Sequence, residues 1–81
     1  MKYKLGKLVR ISPDIQVVIM DEKEQEIKNP YSGVSCVLNP LEIAVYDLLK
    51  GCERLNNYEL MGKCINWFME NNAEAYMILL D

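Results

Sequence analysis

Histidine is absent from this 81-residue chain. That removes the commonest general base, the Ser-His and Cys-His nucleophile pairs and most mixed zinc sites. Glycine is scarce: Gly6, Gly33, Gly51 and Gly62 stand far apart, so no glycine-rich phosphate loop can form. The three cysteines, Cys36, Cys52 and Cys64, are odd in number and show no C-x-x-C spacing, which makes a poor metal set. They read as reduced, small core hydrophobes, with a Cys52–Cys64 bridge between neighbouring helices as the alternative in an oxidising compartment. The acidic run Asp21-Glu22-Lys23-Glu24-Gln25-Glu26 lacks the spacing and central glycine of a calcium loop. No apolar run approaches the roughly 18 residues of a membrane span. The basic N-terminus, Met-Lys-Tyr-Lys-Leu-Gly-Lys, has no following signal-peptide stretch. The expectation is a cytoplasmic protein that is not an enzyme, binds no metal or cofactor and enters no membrane.

What is present is apolar surface. Hydrophobic residues make up 51% of the chain, too many for disorder. A single domain of this length buries only about 60% of the surface its unfolded form exposes, so its core is marginal and association would help it. The net charge of −3 argues mildly against nucleic acid, but the charges are segregated. Lys2, Lys4, Lys7 and Arg10 are the only charges among the first ten residues, whereas Asp21, Glu22, Glu24 and Glu26 crowd a short stretch. Solvated faces account for both runs, and complementary contact with a partner, or head to tail between copies, is the functional alternative.

Residues 1–38 read as the β-rich part. Tyr3, Leu5, Val9 and Ile11 alternate with Lys2, Lys4 and Arg10 over a strand Tyr3–Ile11, with Leu8 breaking the pattern and Gly6 marking a bulge. Ser12-Pro13-Asp14 is a turn. Ile15–Met20 is a second strand, apolar on both sides apart from Gln16, which fits cover on both faces. Asp21–Gly33 reads as loop with at most one helical turn over Glu22–Lys28, and Val34–Leu38 as a third strand.

Residues 39–81 read as helical. Asn39-Pro40-Leu41-Glu42 combines a capping asparagine, a proline suited to the first turn and a capping-box glutamate. This helix should run to Cys52–Arg54, with Leu41, Ala44, Val45, Leu48, Cys52 and Leu55 on one face and Gly51 allowing close approach or ending it. Asn56 and Glu59 start a second helix, Asn57–Glu70. Asn71 and Glu74 start a third segment over Ala73–Leu80, read as a short helix with a terminal strand as the alternative. The fold class is α+β: a small antiparallel sheet of two to three strands, then two to three helices packed on one face.

The second helix carries Tyr58, Leu60, Met61, Cys64, Ile65, Trp67, Phe68 and Met69 over about 200° of its wheel, more than a one-sided helix needs. Ile43 and Tyr46 point away from the main stripe of the first helix. Ile43, Tyr46, Tyr58, Trp67, Met69 and Tyr76 are therefore the candidate protein-binding residues, unless sheet and helices wrap all this surface into the core. The expected activity is protein binding as a homo-oligomer or with another protein. The runner-up is a nucleic-acid-associated regulator that uses Lys2, Lys4, Lys7 and Arg10 on a polyanion.

The run from Asn57-Tyr58-Glu59 to Ala75-Tyr76 fails as a tetratricopeptide unit: its Asn57-to-Ala73 stretch is about three residues short, Met61 and Phe68 stand where small alanines are wanted, and a single unit cannot make a solenoid. The pattern Tyr46-Asp47, Gly51-Cys52, Trp67-Phe68, Ala75-Tyr76-Met77 and Leu79-Leu80-Asp81 resembles small uncharacterised proteins encoded by bacteriophages, over the C-terminal half of the chain. The resemblance implies a viral accessory protein in the host cytoplasm that modulates a host protein, or a virion component. It implies no active residue.

Overall fold

The computed structural model describes residues 6–20 and 22–80. Tyr3, Leu5, Lys2, Lys4, Asp21 and Asp81 lie outside them. The fold is α+β, with antiparallel strands preceding helices, and the strands form two separate hairpins rather than one sheet.

The first hairpin joins β1 (Leu8–Ser12) and β2 (Ile15–Val18). Its turn is held by Ser12, whose Oγ accepts the Asp14 and Ile15 N–H groups at 3.3 and 3.1 Å. The register slips between Arg10 and Ser12, so Ile11 is the extra residue of a bulge. Gly6 (φ +73°) donates its N–H to the Ile19 carbonyl, while the Ile19 N–H bonds Lys7, so two residues face one there as well. Alternation sorts β2 cleanly. Ile15, Val17 and Ile19 are buried, and Gln16, Val18 and Met20 are exposed. The expectation of cover on both faces fails: Leu8 lies opposite Val18, and both stand in solvent.

The second hairpin joins β3 (Gln25–Lys28) and β4 (Ser35–Leu38), with Ile27 opposite Cys36 and Gln25 opposite Leu38. β3 falls inside the stretch read as loop. Its outer face is solvated, so Gln25-Glu26-Ile27-Lys28 offers only one apolar residue to betray it. Pairing with β4 supplies the order that side-chain pattern does not.

α1 (Pro40–Arg54) starts with the full capping box: Asn39 Oδ1 accepts the Glu42 N–H at 2.8 Å, and Glu42 Oε1 accepts the Asn39 N–H at 2.9 Å. Glu42 Oε2 also accepts from Asn72 Nδ2 at 2.8 Å. One carboxylate thus ties the start of α1 to the end of α2 (Tyr58–Asn71). Asn72 itself accepts the Ala75 N–H and caps α3 (Ala73–Ala75). The chain ends in a π-helical turn, Tyr76–Leu80, so the terminal segment is helical throughout. Gly51 lies inside α1, and an added Cβ there would meet only open space, so it neither ends the helix nor admits a neighbour.

The core sits where β2, β4, α1, α2 and the terminal segment converge. Ile19, Leu38, Val45, Leu49, Cys64 and Phe68 are its most completely buried side chains. The first turns of α1 are inserted so deeply that Pro40, Ile43, Ala44 and Val45 are all buried, whichever way they point. Leu55, assigned to the same stripe, lies beyond the helix end and is 81% exposed.

Candidate interaction surface

The deep insertion of α1 corrects one assignment. Ile43 is 5% exposed and belongs to the core, so it cannot face a partner. Tyr46 is half-buried against the core edge, with Lys50 Nζ 5.6 Å from its ring centroid. Tyr76 is likewise half-buried against the core. Trp67 packs edge-on against Phe68, with centroids 5.1 Å apart at 87°, and only part of it reaches solvent. Tyr58 and Met69 are exposed. Lys7 and Arg10 are exposed, while Lys2 and Lys4 lie outside the described residues.

α2 therefore presents two different flanks. On one, Trp67 walls an open cleft of about 300 Å³ with Ile11, Ser12, Asp14, Asn66 and Glu70. The cleft is polar, and its lysine is already engaged: Lys63 Nζ lies 3.2 Å from Asp14 and 3.7 Å from Glu59. On the other flank, Tyr58, Met61, Ile65 and Met69 follow at spacings of three, four and four, which places them within about 80° of one another on the helix. They make an apolar ridge.

The ridge borders a groove of about 220 Å³. Its walls are Leu49 from α1, Met61 and Ile65 from α2, and Leu79 and Leu80 from the terminal turn. Lys50 and Glu53 stand on its rim, 3.4 Å apart and both partly solvated. The remaining wall comes from the β3–β4 loop, through Asn29 and Tyr31.

Tyr31 is 95% exposed, the most solvated large apolar side chain among the described residues. The pattern reading missed it because a tyrosine among Asn29, Pro30, Ser32 and Gly33 has no periodic neighbours. The one signal was an aromatic residue inside a run of turn formers. Met61 and Ile65 were on the apolar arc, but nothing local distinguished them from core.

The Cys36 and Cys64 thiols are poor nucleophiles in this setting. Burial, reinforced by Cys52, pushes the Cys64 thiol up to about 11. Burial, then Glu74 and Glu42, also raises Cys36 above its ordinary value. Among the described residues no cluster of three or more cysteine, aspartate or glutamate side chains could hold a metal ion, and no helix is long and apolar enough to cross a membrane.

No family model matches the chain, and neither curated proteins nor solved structures show significant similarity to it.

Proposed function

We propose that this protein is a small interaction module that self-associates through the groove between α1, α2 and the terminal turn. The observation that carries the reading is that groove: an apolar depression bordered by the ridge of Tyr58, Met61, Ile65 and Met69, on a chain whose core is small. Burying such a surface against a second protein draws on the same hydrophobic effect that forms a core, offset by the cost of association. Aromatic residues and methionine are the types enriched at the centres of protein interfaces. The phage-protein resemblance adds a host protein as a later partner for the assembled form.

Absolute mass by light scattering over a hundredfold concentration range tests this directly. A mass that rises from monomer to a fixed multiple supports the module. A monomer throughout removes self-association.

A further inference from the structure

Resting on that reading, we propose that Tyr31 is the anchor of a twofold dimer, each copy inserting its tyrosine into the other's groove. Four observations lead there.

The first is presentation. Tyr31 sits on a loop that is already ordered. Asn29 Oδ1 accepts the Tyr31 and Ser32 N–H groups at 2.8 and 3.3 Å. The Asn29 N–H bonds the Val34 carbonyl, the Gly33 N–H bonds Asn29, and Ser32 Oγ accepts from Val34. Gly33, at φ +79°, supplies the left-handed backbone that closes the loop. Asn29 Nδ2 then donates to the Ile78 carbonyl at 2.9 Å, which fastens the loop to the terminal turn. A backbone held this way loses little further freedom on docking, which leaves only the tyrosine's own rotamers to be fixed.

The second is cost. An aromatic ring buries about 150–250 Å² when it is covered. Tyr31 gains almost none of this within its own chain, because it is 95% exposed.

The third is position. Tyr31 stands at the lip of the groove walled by Met61, Ile65, Leu79 and Leu80. A knob beside a hole on one face is self-complementary: a twofold axis at the lip sets each knob over the other hole, and the contact closes at two copies.

The fourth is charge. The rim carries Lys50 and Glu53, with Arg54 beside them on the same helix end. A rim of mixed sign suits a second copy of itself better than a uniformly acidic or basic partner.

Sedimentation equilibrium of wild type and Tyr31→Ala tests the proposal. Tyr31 touches no core, so at concentrations where wild type is monomeric the variant should melt at the same temperature, and only wild type should gain melting temperature as concentration rises. The variant's dimer dissociation constant should rise at least about tenfold. A photoreactive phenylalanine at position 31, in a mixture of isotope-labelled and unlabelled chains, should give cross-links between chains at Met61, Ile65, Leu79 or Leu80. If wild type dimerises and Tyr31→Ala dimerises equally well, the tyrosine anchor is wrong and self-association uses another surface. If wild type stays monomeric to millimolar concentration, the anchor and the self-association both fall.

Discussion

Glu42 is the residue on which most of the polar structure turns. Its two carboxylate oxygens accept from the Asn39 backbone and the Asn72 side chain, so it serves two helix junctions 30 positions apart. Glu42→Ala leaves both donors without their partner in a half-buried place and should cost about 1–3 kcal/mol in chemical denaturation. Glu59, whose side chain is 85% exposed and pairs with Lys63 at 3.7 Å, is the contrast: Glu59→Ala should change stability by no more than about 0.5 kcal/mol. Cys64 makes the second prediction at this scale. Its thiol ionises near 11 when folded, above the ordinary value of about 8.5 in an unfolded chain. Between those values the unfolded state loses the proton first, so its contribution to stability is intact below about pH 8.5 and declines as pH rises toward 11. Denaturation midpoints at pH 7 and pH 10.5 should fall further for wild type than for Cys64→Ala.

At the scale of elements, the capping signals proved far more legible than the strand signals. Asn39-Pro40-Leu41-Glu42 placed α1 because Asn39 and Glu42 each answer an unsatisfied backbone N–H and Pro40 removes one, and the structure holds both capping bonds. The two later starts were each placed one residue early: Asn57 and Asn72, not Asn56 and Asn71, cap α2 and α3, each accepting the N–H three residues on, with no reciprocal glutamate bond in either cap. β3 was hidden because its order comes from β4: Gln25, Glu26 and Lys28 are exposed on both of its faces and only Ile27 is half-buried, so no alternation shows. Ile43 was misjudged for a related reason. The wheel of α1 shows one stripe, but only the tertiary fold reveals that burial in its first turns extends beyond that stripe to Ile43. The candidate surface was half legible: Tyr58 and Met69 followed from the excess of apolar arc, whereas Tyr31 depended on a loop that the sequence marks only as a turn. The helices also carry a testable surplus of flexibility. Gly51 and Gly62 sit within α1 and α2 with open space where a Cβ would go. Gly51→Ala and Gly62→Ala should each raise stability by about 0.5–1 kcal/mol, read as an increase in melting temperature with unchanged circular dichroism.

At the scale of the whole molecule, a radius of gyration of 12.1 Å is close to the roughly 12 Å expected for a compact chain of this length. Among the described residues, exposed large apolar side chains stand on the outer side of the first hairpin (Leu8, Val18 and Met20), at Val34 and Val37 of the second hairpin region, at Leu55 and Met77, and on the ridge and Tyr31. The ridge and Tyr31 flank a depression, and Tyr31 is the most exposed aromatic side chain of the set. If the other apolar places were sticky as well, association would continue past two copies. The twofold exchange at the groove predicts instead that light scattering reaches a plateau at twice the monomer mass.

The bond from Asn29 to the Ile78 carbonyl joins positions 49 apart, and Leu79 and Leu80 beyond it complete the groove wall. A closure of such long range costs loop entropy before its contacts reward it, so it forms late. The proposed docking hole is thus completed only once hairpins and long helices are in place. Association and order at the C-terminus become one equilibrium: the amides of residues 76–80 should exchange with deuterium slowly at high protein concentration and quickly on dilution, even though the rest of the chain exchanges at the same pace in both.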